Sequence, residues 1–327
     1  MLSGIKRILI FVMVCIAISS FSGCSELAKS DDGKVHIVAS NFPCYDVARR
    51  IGGERADIYM LIPPGSESHS FEPSTSDIIR ISSCDLFICV GGESDRWLDK
   101  ILDSVQENNS FNVLKLMDCT RLLEEEHMPG MKHDESDHHH DHHDHDDESE
   151  PEYDEHVWTS LRNTSEISEY IKDKLSAIDP EGASYYESNC DLYRAELNAL
   201  DAEFVKLFEA SENTVMVFGD RFPLRYFVED YGIEYYAAFP GCAAQTEPDI
   251  ATIAFLVDKI REEDIRSVFY IDMSNTAMVK SISEETGAFV KCFYSCHNVT
   301  QTQFDNGDTY LDLMRENLKT LKEAFSE

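Results

Sequence analysis

From Val35 onward, short unbroken apolar runs alternate with stretches whose apolar residues recur every three or four positions. VHIVAS (35–40), ADIYMLIP (56–63) and DLFICVGG (85–92) read as strands, with helical periodicity in YDVARRIGG (45–53) and TSDIIRISSC (75–84) between them. Strands apolar on both faces belong in a parallel sheet covered by helices on either side. From Asn213 the alternation begins again: strands NTVMVFGD, IEYYAAFP, SVFYID and AFVKCFYS are separated by helices RYFVEDYG, PDIATIAFLVDKIREED and NTAMVKSISEETG, and TYLDLMRENLKTLKEAF closes the chain. Between the two sets, SEISEYIKDKLSAID (165–179) predicts one helix, and ESNCDLYRAELNALDAEFVKLFEAS (187–211) a long second one after Pro180. The expected fold is therefore two Rossmann-like α/β lobes, over 35–162 and 213–327. A helical connection over 163–212 joins them, and its long rigid backbone helix keeps lobe movement small. Ligands of such sheets lie beyond the carboxyl ends of the strands, so the cleft between the lobes is the expected binding place.

The first 23 residues stand outside this fold. Lys6 and Arg7 precede an apolar run from Ile8 to Ile18 that is too short for a comfortable membrane span, the signature of an export signal. It ends at Ser22-Gly23-Cys24, which resembles a bacterial lipobox, with Phe21 in place of the usual leucine. An acylated Cys24 would begin the mature chain and hold it to the membrane surface through a tether over 24–34. The expected location is extracytoplasmic and lipid-anchored, the alternative being a soluble secreted protein. Roughly 290 residues remain after the tether, enough for two lobes with separate cores.

A formal charge of −34 argues against nucleic acid as a partner and favours cations. Charge and apolar periodicity part company between about Glu124 and Asp154, an insertion expected to form a disordered loop. Within it His133, His138, His139, His140, His142, His143 and His145 stand among carboxylates. Such a run holds cations loosely at many equivalent positions. A plain solvated acidic linker is the alternative reading.

Fixed donors come from elsewhere. His69 follows the strand ADIYMLIP in a loop at the cleft edge, where it either binds a ligand or is simply solvated. His156 marks the point where the apolar pattern resumes with Val157 and Trp158, so ordered chain holds it on one side. Asp272 ends the strand SVFYID, as a cleft carboxylate or as the N-cap of the next helix. Gly219 and Asp220 follow the strand NTVMVF; Asp220 has the alternatives of ligand, partner of Arg221 or helix cap. Cys292, Cys296 and His297 lack the second half of a CxxC-type zinc site. Imidazoles and carboxylates from separated segments suit a first-row divalent cation, zinc above all and manganese second. No HExxH or GxSxG appears, and a binding module is expected in place of a metal-dependent hydrolase.

PGSESHSFEPSTSD, DEHVWTSLRN, FGDRF…YFVEDYG and VFYID…ISEETGA, in this order, resemble the zinc and manganese substrate-binding lipoproteins of ABC importers, the cluster A-I family. The resemblance spans the mature chain. It implies two α/β lobes on a backbone helix, one metal ion in the cleft and delivery to a membrane permease. Its ligands carry over as His69, His156 and Asp272. The third motif departs: aligned on Phe222, the family's ligand falls on Gly219; aligned on the following helix, it falls on Arg221. Asp220 then becomes the nearest usable donor. The histidine-rich insertion matches the zinc branch. Zinc capture for an ABC permease is the expected function, with a manganese receptor of the same family or a surface metal buffer or adhesin as alternatives.

Overall fold

A computed structural model describes residues 33–66, 71–98, 112–131, 152–241 and 250–326. The export signal, Cys24, His69 and the seven histidines of the insertion lie outside the described residues. Contacts along the chain separate Met1–Gly33 from Lys34–Glu327, and the fold below is that of the second unit.

The first sheet contains β1 (Val35–Ala39), β2 (Ala56–Met60), β3 (Leu86–Cys89) and β4 (Asn112–Lys115), all parallel in the order β2-β1-β3-β4. Helices α1 (Phe42–Gly52) and α2 (Thr75–Ser83) make the crossovers from β1 to β2 and from β2 to β3. The second sheet repeats the plan as β6-β5-β7-β8, from β5 (Met216–Phe222), β6 (Tyr235–Pro240), β7 (Ser267–Ile271) and β8 (Phe289–Phe293). Both are the parallel sheets that the continuous apolar runs require. Edge strand β4 is an element that periodicity did not reveal, since four residues with one fully buried side chain carry too little pattern.

Two helices join the sheets. α3 (Leu161–Ile178) begins earlier than the sequence pattern indicates, because Ser160 caps it by accepting from Asn163 N while its hydroxyl donates to Asp230 of the second lobe. α4 (Ala183–Ala210) runs 28 residues, on the order of 40 Å at 1.5 Å per residue. Its buried residues, Tyr186, Cys190, Tyr193, Leu197, Leu200, Phe204 and Phe208, recur every three or four positions and form one stripe. Helix α5 (Arg225–Tyr231) packs its Phe227 and Tyr231 rings on the Phe204 and Phe208 end of that stripe. The other end reaches the first lobe, where Asn189 donates to Ile51 O. A single core cluster consequently runs from β1 through α4 to β5.

The remaining helices are α6 (Ile250–Glu262) and α7 (Ala277–Thr286), which cover the second sheet, then α8 (Gln301–Asn306) and α9 (Tyr310–Ala324). The last helix returns to the first lobe: Tyr310 N donates to the buried Asp46 of α1 at 3.0 Å. Part of the acidic insertion has defined structure. Glu124 pairs with Tyr153 in an antiparallel bridge, Asp154 N donates to Leu123 O, and Met131 is buried. Gly130 lies so close to Phe255 of α6 that a Cβ there would stand 2.2 Å from the ring. Among the described residues no helix is long and apolar enough to cross a membrane, and the described cysteines are free thiols.

Because one stripe on α4 serves both lobes, truncating its centre destabilises both together. Leu197→Ala is expected to lower the unfolding free energy by about 2–5 kcal/mol. Urea denaturation followed by tryptophan fluorescence and far-UV circular dichroism should give coincident transitions; separate unfolding of the lobes would contradict the shared core.

Candidate metal centre

The carboxyl ends of the strands face a small, open cleft lined by Ser66, His156, Arg221, Asp272, Ser295 and His297 among others. His156 enters from the chain that follows the insertion. It is fully buried, and it precedes a 3-10 turn over Val157–Thr159. Its backbone N–H donates to Asp154 Oδ1 at 2.7 Å, and its Nδ1 lies 3.1 Å from the same oxygen. With Nδ1–H donating to Asp154, the lone pair is carried by Nε2, which is how a carboxylate fixes the tautomer and heading of a ligating imidazole. Asp154 is itself held, since Tyr226 Oη donates to its carbonyl at 2.8 Å. Burial disfavours the imidazolium, yet Asp154, Glu155 and Glu125 outweigh that and raise the pKa of His156 overall. The Cε1 edge of the ring faces Gly241, where a Cβ would stand 3.2 Å away.

Asp272 enters from the other lobe, one residue past the end of β7. It is not a helix cap, because the N-cap position of α7 is Thr276. Its Oδ1 accepts from Ser295 N at 2.7 Å and Ser295 Oγ at 3.2 Å. Burial pushes its carboxyl up to about 6; the bonds from Ser295 oppose the rise and Asp220 adds to it. Met273, next in the chain, adopts a left-handed φ of 62° and also lines the cleft.

Gly219 and Asp220 do not follow β5, as expected from the sequence; they lie inside it. Phe218 pairs with Ala237 and Arg221 with Phe239, so two residues of β5 oppose one of β6. This bulge re-aims the side chains around it. Asp220 turns toward β7, where Oδ2 accepts from Ile271 N at 3.0 Å and Oδ1 from Arg221 N at 2.8 Å. It is not among the residues lining the cleft. A Cβ on Gly219 would meet the backbone of Val279 at 3.1 Å, so helix α7 occupies the space that a ligand at that position would need.

The cleft thus gathers His156 and Asp272 from opposite lobes, and Ser66, three residues before His69, lines it as well. His297, considered in the sequence only beside Cys292 and Cys296, stands against His156 with ring centres 5.6 Å apart. Its signal was available: it follows β8, another strand whose carboxyl end opens on the cleft. Among the described residues no three His, Cys, Asp or Glu side chains are gathered tightly enough to hold an ion as they stand.

Comparison with known proteins supplies a context for this geometry. A zinc-binding lipoprotein AdcA of Streptococcus pneumoniae is 28% identical over 297 residues, covering 90% of this chain and 57% of AdcA, so the chain spans little more than half of that relative. The high-affinity zinc uptake system protein ZnuA of Bacillus subtilis is 25% identical over 321 residues, covering 97% of this chain and 96% of ZnuA. The Zn(II)-bound ZnuA-like domain of S. pneumoniae AdcA superposes with a TM-score of 0.72 over 90% of this chain and 100% of the domain, at 24% identity. The lipoprotein YcdH of B. subtilis, described as metal-dependent, does so with 0.73 over 89% of this chain and 99% of its own, at 22% identity. These superpositions agree with the two parallel-sheet lobes. The family model for zinc-uptake complex component A, periplasmic, matches residues 37–324, and the chain belongs to that family.

Proposed function

We propose that the protein is an extracytoplasmic receptor that captures one zinc ion in the cleft and delivers it to an ABC permease, held at the membrane surface through an acylated Cys24. The observation that carries this reading is a buried imidazole and a buried carboxylate from opposite lobes opening on one cleft, with the imidazole's far nitrogen oriented by Asp154. The relatives named for zinc binding and zinc uptake support the choice of ion. His69, His156 and Asp272 are the ligands in this reading. Asp220 braces β5 to β7 through the amides of Ile271 and Arg221. The histidines from His133 to His145 raise the local cation concentration without forming the tight site. Docking on the permease would release the ion by drawing the lobe that carries Asp272 away from the one that carries His156, weakening the site through lost differential contacts.

Isothermal titration of the mature protein should give one tight zinc per chain. His156→Ala should weaken it about 100-fold or more, while deletion of 133–150 leaves it in place. Tight stoichiometric binding that survives His156→Ala would overturn the reading.

Asp272 supplies a second expectation. Its carboxyl, raised from 3.8 to about 6, binds its proton more readily in the folded protein than in the unfolded chain. The metal-free protein is therefore favoured at low pH and loses stability as pH rises through about 6, by on the order of 2–3 kcal/mol once the group is fully ionised. A bound cation offsets that cost. Asp272→Asn should thus stabilise the metal-free protein at pH 8 but not at pH 4, and should remove most of the stabilisation that zinc confers. Urea midpoints measured at both pH values with and without zinc check this; an Asn variant that is less stable at pH 8 without zinc would contradict it.

A further inference from the structure

The segment between β8 and α8, Tyr294–Thr300, is bonded to three parts of the cleft at once. Ser295 donates twice to Asp272, Trp158 Nε1 donates to Ser295 O at 3.0 Å, and Asn298 Nδ2 donates to Pro63 O and Ser66 O at 2.9 Å each. Gly65 N returns a bond to Val299 O at 2.7 Å. His297 sits in the middle of this framework. Cys296 before it takes a left-handed φ of 58°, a conformation unfavourable for a non-glycine residue that persists only where its surroundings enforce it. With that turn the Cys296 thiol is buried and His297 lines the cleft, half-buried, 5.0 Å from the Trp158 ring and 5.6 Å from the His156 ring, the latter at 87°.

We propose that His297 is a ligand of the captured ion, supplying the imidazole that Gly219 cannot. This rests on the metal-receptor reading above. Two imidazoles on one tetrahedral zinc, each nitrogen about 2.0 Å from the ion, hold their ring centres roughly 5 Å apart. The pair His156 and His297 already stands near that separation with perpendicular planes, so a rotation of the half-buried His297 side chain brings it to an ion held by His156 and Asp272. Asp220 does not line the cleft, and its two oxygens accept from the amides of Ile271 and Arg221. A third neutral nitrogen donor in place of a further carboxylate also leaves the site better matched to zinc than to manganese.

The alternative is that His297 only packs on Trp158, and the two roles separate experimentally. His297→Gln and His297→Phe keep the side chain's bulk, and their urea midpoints without metal should stay close to wild type. Zinc affinity from chelator competition should fall at least about 100-fold in both, the upper end of what losing an orienting partner costs. X-ray absorption of the zinc-loaded protein should count one imidazole fewer in either variant. In the unaltered chain, zinc should shield His297 from diethyl pyrocarbonate, a readout that requires no variant to fold. Unchanged affinity and imidazole count, or modification of His297 that zinc leaves undiminished, would overturn the proposal while leaving the receptor reading intact. Absence of tight zinc binding by the wild-type protein would instead overturn the receptor reading itself.

Discussion

Two parallel sheets, each closed by its own helices, have no intrinsic reason to meet with their carboxyl ends face to face. The hydrogen bonds from Tyr294–Thr300 impose that meeting. Asn298 holds the carbonyls of Pro63 and Ser66, Ser295 holds Asp272, and Trp158 holds Ser295. Buried polar groups carry a heavy cost when a partner is lost, so a network that satisfies its carbonyls, amides and carboxylate together specifies one relative placement of the lobes. The long stripe of α4 supplies bulk apolar adhesion behind the cleft. Adhesion of that kind is non-directional, whereas the polar seam sets register.

Electrostatics act on two scales. Over the whole chain, 62 acidic against 28 basic residues create a field that draws cations toward the surface, weakened by salt over a Debye length. At the cleft the effect differs in kind. Asp272 is buried at an energetic cost that its bonds from Ser295 only partly offset, and in the proposed site the same burial that raises its pKa would strengthen its pull on a dehydrated cation. Arg221 lines the same cleft, and a positive group there opposes nonspecific cation accumulation. A site that is unfavourable when metal-free gains most from binding, and the expected effect of Asp272→Asn rests on that trade between function and stability.

The bulge in β5 shows how one added residue changes chemistry without changing fold. Strand pairing on either side of Gly219 and Asp220 remains parallel and regular, yet within the bulge Asp220 faces the amide of Ile271. Helix α7, pressed against Gly219, leaves no room for a donor at that position. The effect is local, and in the proposed site the further imidazole comes from another strand end, at His297.

Local periodicity was enough to read most of the fold, because burial of a strand on both faces or of a helix on one face writes itself into consecutive residues. VHIVA, LFIC and SVFYI announce parallel strands, and the spacing from Tyr186 to Phe208 announces a long buried stripe. His156 was legible for the same reason: the apolar pattern returns at Val157 and Trp158 directly beside it. Four residues of β4 were too few to register, and the start of α3 depended on Ser160 meeting Asp230 across the lobes. The orientation of Asp220 depended on a register shift between β5 and β6, and the meeting of His297 with His156 on where two distant strand ends come to lie. Neither leaves a mark on neighbouring residues, since each arises from contacts between segments far apart in the chain that form only when both sheets are in place.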